Sequence, residues 1–449
     1  VSFSHSRGGR LSSSPHFYIM EVLQMKKGYK LSKYNYFFEV DGVDYVYNTF
    51  SGGLSELEKG GKERLLNFDS YDGNMDSFYT AAVANGFIVK ADVDELEILN
   101  FYRSDMICQE HQTVYEILPT TACNARCFYC FEEGVKFHSM SMETAKQVCK
   151  FIIEQNKHTQ GILIQWFGGE PLLNPKVITY ITQTLDAELA SKGIRVNYQM
   201  TTNGSLVTDE MVKLFKDVWH ISKVQITLDG PKSTYEKRKA YVNLPNAFEK
   251  VITNINALAN AGIRVAIRLN YDNNNIADIM ELIDYLGTAI INKSKVLCYG
   301  YPLFSDDPNS APDVRENALK LIDINRKIVQ NDLCRGKNVF NLHFIQTKCY
   351  ACLRHSFLIT PDGKLAKCSM AMEEKDFIGD IYSPYRLSNA YLNWCSTELS
   401  SQECYSCKFL PLCQGGCKAG HLGYSHVKHY IFKNCFDEVL AEIVRANKN

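Results

Sequence analysis

The sequence predicts an α/β fold in which a partial barrel of six strand–helix units lies between a small N-terminal module and a loop-rich C-terminal extension. Two observations predict it. From about residue 115, apolar β-branched runs alternate with amphipathic helical runs, which is typical of a parallel sheet with right-handed crossovers. After about residue 337 the alternation ends and cysteines become frequent. The predicted units are a tail at 1–27, a winged-helix-like module at 28–108, the barrel at 109–336 and the extension at 337–449.

The overall composition is that of a globular chain. Of its 449 residues, 45% are hydrophobic and 22% are charged, and the formal net charge is -1. That charge gives no reason to expect nucleic acid or an anionic membrane as a partner, and we find no apolar run of about eighteen residues that could span a membrane. Sixteen cysteines without an apolar signal region favour a cytoplasmic protein, with thiols as metal ligands or catalytic groups rather than disulfides.

The tail is rich in Ser, begins with Val1 and has no acidic residue before Glu21. It resembles a transit peptide in part. The alternative is a vector-derived or mis-assigned start, with the natural start at Met20 or Met25. We prefer the alternative and expect the tail to lie outside the fold.

The module at 28–108 is predicted from short periodic runs. YNYFFEV and DYVYNTF are aromatic and β-branched and flank a DG pair, which indicates a β-hairpin. SGGLSELEKGGKERLLN and NMDSFYTAAVANG indicate two short helices, followed by a strand at FIVK and a helix at DELEILNFYR.

The barrel is predicted from six strand-like runs, and in parallel barrels chemistry collects at the C-terminal ends of the strands. The predicted strands are YEILPT, ILIQWFG, RVNYQMTTNG, KVQITLDG, RVAIRLNYD and VLCYGYPLF. The predicted helices include METAKQVCKFIIEQ, NPKVITYITQTLDAELA, TDEMVKLFKDV, AFEKVITNINALANAG and IADIMELIDYL. In the extension, FLITPDGKLAKC predicts a hairpin around Asp362 and Gly363.

Three cysteines follow the first barrel strand in TACNARCFYCF, namely Cys123, Cys127 and Cys130. Their C-x3-C-x2-C spacing suits three corners of a cubic iron–sulfur cluster, which leaves the fourth iron free for a substrate or cofactor. A zinc knuckle with a distant fourth ligand is the alternative.

A second motif, WFGGEP, ends the second barrel strand. Gly168 and Gly169 let the backbone approach a ligand closely, and Glu170, before Pro171, could accept hydrogen bonds from a ligand ammonium. By itself the motif could be a plain turn. Together, CNARCFYCF and WFGGEP resemble the radical S-adenosylmethionine (radical SAM) enzyme family, whose partial barrel matches the six predicted units.

The resemblance implies a mechanism and a set of cofactor contacts. In the family, S-adenosylmethionine chelates the fourth iron of a 4Fe–4S cluster, and its reductive cleavage yields a 5′-deoxyadenosyl radical that abstracts hydrogen from the substrate. The electron would come from a partner such as flavodoxin or ferredoxin. The positions that match the family's cofactor contacts are Tyr129 beside the adenine, Gly168, Gly169, Glu170 and Pro171 at the methionine amino group, Thr227, and Arg238 or Lys239 at the carboxylate.

The extension carries a third pattern, C-x2-C-x5-C-x3-C, after an upstream G-x4-C and before a downstream cysteine. The pattern resembles the SPASM extension of radical enzymes that modify peptides and proteins; a zinc ribbon is the alternative. The resemblance implies two auxiliary 4Fe–4S clusters. One would use Cys404, Cys407, Cys413 and Cys435, and the other Cys368 and Cys417 with Cys349, Cys352 or both. If only one of the last two is a ligand, the second cluster has an open iron that could bind a substrate thiolate.

The module before the barrel resembles the precursor-recognition element of peptide-maturing enzymes, in which a leader peptide adds as an extra strand. Alternatively it only covers the open side of the barrel. DNA binding is disfavoured because GGKERLL is mixed in charge. The predicted function is therefore maturation of a ribosomally made peptide, with a cysteine thioether as product.

Two other products stay open, a carbon–carbon crosslink and the formylglycine of sulfatase maturation. Sulfatase-maturing relatives place an aspartate base after the cysteine that matches Cys368, whereas this chain has Ser369. No side chain stands out as a general base. Cys108, Cys149, Cys298, Cys334 and Cys395 have no partner at ligand spacing and are expected to be packing residues or free thiols.

Overall fold

The fold is taken from a computed structural model that describes residues 28–70, 75–108, 112–132, 134–156, 159–303, 314–334, 349–383, 388–399, 401–419 and 435–448. The expectations for the tail at 1–27 fall outside these residues.

The N-terminal module contains two small antiparallel sheets. β1 (Tyr29–Leu31) pairs with β5 (Ile88–Lys90), and β2 (Asn35–Val40), β3 (Val43–Asn48) and β4 (Leu54–Glu56) form the other sheet in that order. Asp41 and Gly42 both have positive φ, 53° and 80°, as a two-residue hairpin turn requires. The predicted hairpin is therefore present. The helix predicted for SGGLSELEKGGKERLLN is wrong in its first half, where β4 forms and pairs with β3; only Gly61–Leu66 of that run is helical. β1 was not predicted because three residues are too few to show a period.

Three helices complete the module: α1 (Gly61–Leu66), α2 (Ser77–Ala84) and α3 (Glu95–Cys108). A small core with Val46, Leu65 and Phe78 joins one face of the three-stranded sheet to α1 and α2. The other face, with Phe38 and Tyr45, belongs to the main core of the chain. Both faces of this sheet are thus covered, and within the described residues β2 and β4 are its edge strands.

The six predicted barrel strands are all present and parallel. They are β6 (Gln112–Ile117), β7 (Gly161–Trp166), β8 (Arg195–Thr201), β9 (Ile221–Leu228), β10 (Arg264–Tyr271) and β11 (Val296–Pro302), paired in sequence order. The helices are α4 (Met142–Gln155), α5 (Pro175–Ala190), α6 (Asp209–Lys213, continued by one π turn at Leu214–Val218), α7 (Lys232–Lys239), α8 (Ala247–Asn260), α9 (Ile276–Ala289) and α10 (Val314–Gln330). The predicted partial barrel is confirmed.

Successive residues along each barrel strand point to opposite faces of the sheet, and the two faces have different surroundings. Ile164 and Tyr198 are fully buried in the main core, whereas the residues after them face the opposite way. On that opposite face Glu116, Gln165 and Gln199 are neighbours in register on β6, β7 and β8. The inner wall of the barrel is therefore polar near its first strands.

The extension continues the barrel sheet. β12 (Phe357–Ile359) pairs in parallel with β6, and β13 (Lys364–Ala366) and β14 (Gly379–Asp380) follow antiparallel, which makes a nine-stranded sheet. The predicted hairpin at Asp362 and Gly363 is the β12–β13 turn, where Gly363 has φ +86°. Within the described part of the extension, the α-helices are α11 (Asn389–Trp394), α12 (Leu410–Cys413) and α13 (Phe436–Lys448). Among the described helices, none is long and apolar enough to cross a membrane.

Candidate cluster and cofactor site

The three-cysteine loop leaves β6 at its C-terminal end, as expected. Cys127 and Cys130 form a tight turn in which the Cys130 N–H donates to the Cys127 carbonyl at 3.0 Å. Burial raises the pKa of Cys123 to about 11, and the nearby negative groups of Glu170, Cys127 and Cys130 add to the effect. Cys123 therefore interacts electrostatically with the other two cysteines of the loop and with Glu170 of the second motif.

The glycine turn at the end of β7 lies directly against the backbone of the cysteine loop. The Glu170 N–H donates to Ala122 O at 2.8 Å, and the Gly169 N–H donates to Thr120 O at 3.2 Å. A Cβ on Gly169 would lie 2.3 Å from Ala122 O, and one on Gly168 would lie 2.5 Å from Thr120 O. Only glycine permits this approach, so the two motifs form one structural unit.

Glu170 is fully buried and holds the next strand end in place. Its carboxylate accepts from the Thr202 hydroxyl at 2.7 Å, the Asn203 N–H at 2.8 Å and the Leu172 N–H at 3.1 Å. Burial raises its pKa, and these three donors partly offset the effect. That Glu170 meets a ligand ammonium stays a prediction; what the structure shows is that it fixes Asn203 beside the cysteines.

Sequence reasoning missed Asn203. Its amide Nδ2 donates to Asn124 Oδ1 at 2.8 Å and lies 3.9 Å from Cys123 Sγ. A signal was available, because Asn203 follows β8 at the C-terminal strand edge where such sites collect. Asn203 therefore places a polar side chain next to the cysteine loop.

Tyr129, which the family resemblance places beside an adenine, is hydrogen-bonded to two buried side chains, Asp229 and Lys239. Its hydroxyl donates to Asp229 at 2.8 Å, and Lys239 Nζ donates to Tyr129 Oη at 2.7 Å. Burial alone would lower the pKa of Lys239, but Asp229 and Tyr129 raise it well above its usual value. The triangle ties the cysteine loop to the end of β9 and to α7. Which face of the ring meets a cofactor stays a prediction.

Thr227 lies near the C-terminal end of β9, and Arg238 pairs with Asp272, which directly follows β10. Thr227 is on β9, in register with Arg268 of β10. The Arg238 guanidinium donates to Asp272 at 2.7 Å and lies 4.6 Å from the centre of the Phe128 ring. Arg238 is therefore already paired within the chain, and its predicted contact with a cofactor carboxylate is untested.

At the predicted second auxiliary site, Cys349, Cys368 and Cys417 are neighbours. Burial raises the pKa of Cys368 to about 12, and the negative groups of Cys349, Glu116 and Cys417 add to it. Cys352 follows Cys349 in one short turn, with its N–H donating to the Cys349 carbonyl at 2.9 Å. Cys349 therefore lies near Cys368, and Cys352 lies in the same short turn as Cys349.

At the predicted first auxiliary site, three of four cysteines are neighbours. Burial raises the pKa of Cys413, and the charges of Cys407 and Cys404 add to it. Cys435 is buried at the start of α13 and acts electrostatically on Tyr271 at the end of β10. Its membership of this set stays a prediction.

In the described part of the chain, no three Cys, His, Asp or Glu side chains converge closely enough to hold a single metal ion. The donor type of the cysteine sets suits clusters, because thiolates are the usual cluster ligands and each thiolate of a cubic cluster binds a different iron. The fit also rests on the glycine turn, which leaves no side chain between the cysteine loop and the end of β7.

Two carboxyl groups between the cysteine sets were not predicted. Burial raises the pKa of Glu116 to about 7, while Tyr350 and Ser369 beside it lower it in part. Burial also raises the pKa of Glu132 to about 7, and the charge of Glu116 adds to this. Among the described residues, neither the Tyr350 hydroxyl nor Oε1 of either carboxyl makes a hydrogen bond of ordinary geometry, although Tyr350 and Ser369 lie close enough to lower the pKa of Glu116.

The chain is similar to known proteins in sequence and in fold. The family model of the Radical SAM superfamily matches residues 117–286. The chain is 24% identical over 329 residues to a cysteine-type anaerobic sulfatase-maturating enzyme of Clostridium novyi, covering 66% of this chain and 85% of the relative. It is 22% identical over 429 residues to the radical SAM cyclopropyl synthase TigE of Paramaledivibacter caminithermalis, covering 86% of this chain and 89% of the relative.

Two solved structures share the fold. Native anSMEcpe with bound AdoMet aligns with a TM-score of 0.60 at 15% identity, covering 75% of this chain and 99% of that one. Streptococcus suis SuiB bound to precursor peptide SuiA aligns with a TM-score of 0.52 at 14% identity, covering 89% of this chain and 98% of that one.

Proposed function

We propose that this radical SAM enzyme modifies a ribosomally made precursor peptide and forms a cysteine thioether within it. The superfamily match confirms the expectation of an enzyme that uses S-adenosylmethionine and a 4Fe–4S cluster. A mycofactocin maturase of Mycobacterium tuberculosis, 24% identical over 67% of this chain, is among its relatives. The peptide substrate, the bond and the remaining sites below belong to the proposal.

The observation that carries the proposal is the N-terminal module. Its three-stranded sheet has helices on one face and the main core on the other, so a partner can join only at β2 or β4, its edge strands. An unpaired strand edge is a template for an added strand. A leader peptide bound in this way would gain affinity from backbone hydrogen bonds. SuiB, which has been solved with its precursor peptide, shares the fold over 89% of this chain.

In this proposal Cys123, Cys127 and Cys130 hold the reactive cluster, and the turn at Gly168–Pro171 with Tyr129, Thr227 and Arg238 holds S-adenosylmethionine. When bound, the two groups supply a carbon radical that removes hydrogen from the substrate. The chain contributes positioning: Glu170 fixes Asn203, and the Tyr129–Asp229–Lys239 triangle fixes the loop. The polar inner wall at Gln165 and Gln199 would face the peptide.

The extension is proposed to bind two auxiliary clusters. Cys368, Cys417, Cys349 and Cys352 would hold one, and Cys404, Cys407, Cys413 and Cys435 the other. Lys367, buried beside the first set, donates to the carbonyls of Leu353 and Ser356, and burial lowers its pKa to about 8. A cation there would offset thiolate charge. If Cys349 or Cys352 is not a ligand, an open iron could take the substrate sulfur.

A second candidate is sulfatase maturation, because the Clostridium novyi relative carries out that activity by name. Two features argue against sulfatase maturation. Ser369 occupies the position where an aspartate base would be expected. Sulfatase maturation also leaves the module before the barrel without a function. A carbon–carbon crosslink is the other alternative. The proposed setting is the reducing cytoplasm, with a flavodoxin or ferredoxin as electron donor.

The test uses the anaerobically reconstituted full chain, S-adenosylmethionine, a reductant and the short cysteine-containing peptide encoded beside the gene. Mass spectrometry should show a loss of about two mass units per crosslink, since two hydrogens leave when the bond forms. Alkylation of free thiols then separates a thioether from a carbon–carbon bond. A modified sulfatase peptide with an unchanged neighbouring peptide would overturn the proposal.

Leader binding is tested separately with two proline variants. Glu39→Pro in β2 and Glu56→Pro in β4 each remove one backbone donor from an edge strand, at exposed positions. One of the two should weaken leader binding by at least about tenfold, measured by fluorescence anisotropy. If both variants bind the leader as the unaltered chain does, strand addition is wrong.

A further inference from the structure

We infer that Arg268, on the inner wall of the barrel, is the centre of a carboxylate-binding site that holds an acidic side chain of the substrate. The inference rests on the proposed function and narrows its substrate class to peptides with an aspartate or glutamate near the modified position.

Arg268 lies on the inner face of β10. Its strand neighbours Ile267 and Leu269 are fully buried in the main core, on the helix side of the sheet, so the side chain between them points into the barrel. In register it lies beside Thr227 of β9 and Tyr299 of β11, in the C-terminal half of the strands. That end of a parallel barrel is where its chemistry collects.

The guanidinium of Arg268 is held in one orientation. Its Nε donates to Asn270 Oδ1 at 2.9 Å, and its central carbon lies 3.6 Å from the centre of the Tyr301 ring. The first contact uses Nε, and the second uses one face of the guanidinium. The two terminal nitrogens form the fork that pairs with a carboxylate, and neither contact occupies it.

Arg268 has no acidic partner among the residues that the structure describes. Its hydrogen bond in this part of the chain goes to a neutral amide. Arg238, which also lies near the end of β10, is by contrast paired with Asp272 at 2.7 Å. A charge withdrawn in part from water is costly to leave without a counter-ion, so Arg268 leaves that role to a ligand.

The wall around Arg268 is basic. Strands β8 to β11 contain four basic residues, one on β8, one on β9 and two on β10, and no acidic residue. A wall of one sign attracts ligand groups of the opposite sign and repels those of its own. The side chain that such a wall accepts is therefore an acidic one.

Position favours the substrate over the cofactor as the source of the carboxylate. Contacts that hold the cysteine loop come from the ends of β7, β8 and β9, through Glu170, Asn203 and Asp229. Arg268 lies one strand farther on, next to β11, which is an edge strand of the described sheet. A peptide that enters the partial barrel at this edge would meet Arg268 before it reaches the cysteine loop.

The experiment measures the binding of two small probes to the anaerobically reconstituted full chain by equilibrium dialysis. N-acetyl-aspartate methylamide carries the carboxylate, and N-acetyl-asparagine methylamide has nearly the same shape without the charge. We expect the aspartate probe to bind at least about tenfold more tightly, because charge-assisted hydrogen bonds to an arginine fork are about twice as strong as neutral ones. Equal binding of the two probes, or binding of neither, would overturn the inference.

A second arm separates the two sources of a carboxylate. The titration is repeated with saturating S-adenosylmethionine and no reductant, so that the cofactor is not consumed. The preference for the aspartate probe should persist, because the proposed reaction needs both molecules bound at once. Its loss would show that the cofactor carboxylate occupies Arg268, and would overturn the inference.

Variants then locate the site. Arg268→Met removes the charge at similar length and should abolish the preference. Arg264→Met is the matched control and should keep it, because Arg264 lies on the same strand and face but is exposed at the other end. If Arg268→Met fails to fold, Tyr301→Leu decides, since loss of the ring beneath the guanidinium should reduce the preference at least about threefold. A preference that survives the deciding variant, or that is lost equally in Arg264→Met, overturns the assignment.

The outcome is separable from the proposed function because no precursor peptide is used. Peptide modification without a preference for the aspartate probe removes only this inference. A preference for the aspartate probe without peptide modification removes only the proposed function.

Discussion

Lys239 Nζ lies 3.2 Å from Asp229 Oδ2, and the two side chains are 4% and 0% exposed. Tyr129 joins both through hydrogen bonds of 2.7 and 2.8 Å. The three groups come from α7, the end of β9 and the cysteine loop. One buried polar cluster thus fixes the position of the loop relative to the barrel.

Removing either charge of this pair should destabilise the chain strongly. Lys239→Met leaves Asp229 buried without its cation, and breaking a buried pair costs about 3–5 kcal/mol. The matched control is Lys232→Met, whose partner Glu249 lies at 2.7 Å in an exposed pair of the same helix region. That change should cost less than about 1 kcal/mol. Thermal unfolding of both variants at one scan rate checks the difference; equal losses would contradict it.

Gly169→Ala should abolish binding of S-adenosylmethionine. Its Cβ would meet the carbonyls of Ala122 and Thr121 at 2.3 and 2.6 Å, so the cysteine loop and the turn must separate. We expect a loss of at least about tenfold in affinity by equilibrium dialysis, since the ligand contact depends on that approach. Gly28→Ala meets nothing within 4 Å and should bind as the unaltered chain does.

Replacing Cys123, Cys127 and Cys130 together with Ala should remove one cluster and leave the auxiliary ones. Iron analysis of the reconstituted protein should fall by about four irons per chain, and 5′-deoxyadenosine formation should stop. Cys149→Ala and Cys298→Ala are the controls, because both cysteines are buried in the main core and should leave the iron content unchanged. Persistent deoxyadenosine in the triple variant would show that the reactive cluster lies elsewhere.

Glu116 should make stability depend on pH. Its pKa is about 7 in the folded chain against an ordinary 4.5, so between these values the folded state holds a proton that the unfolded state releases. Stability therefore falls as pH rises from 4.5 to 7, and the cost is complete above pH 7. Glu116→Gln removes that cost. Its advantage in unfolding free energy should grow between pH 5 and pH 8, toward about 3 kcal/mol; an advantage that does not change with pH would contradict the assignment.

The barrel could be predicted because its elements are long and periodic. α4 runs from Met142 to Gln155, the same residues that the amphipathic pattern predicts. α7, KSTYEKRK, shows little apolar pattern, so only the family resemblance, and not the periodicity, led us to expect a helix after β9. β1 is too short for any pattern, and β4 lies in a run that was predicted as a helix. Elements held by tertiary contacts were thus the ones missed.

In the candidate site, too, the parts that could be predicted were those with a local sequence signal. Cysteine spacing and paired glycines are local signals, and the structure brings the two motifs into contact through Ala122 and Gly169. Asn203, Lys239 and Glu116 have partners about 80 or more positions away, such as Cys123, Tyr129 and Tyr350. Such relations depend on the fold, so no window of sequence contains them.

The contact between Tyr36 and Asp437 joins residues 401 positions apart, with a hydrogen bond of 2.7 Å. The ring of Phe436 packs edge-on against Tyr36 at 4.9 Å, and Arg445 pairs with Asp41 of the hairpin turn. A sheet made early in synthesis therefore receives its second layer only after the cysteine-rich extension has left the ribosome, and such distant contacts form late in folding. The order of synthesis thus delays completion of the module until every cysteine of the chain has been made.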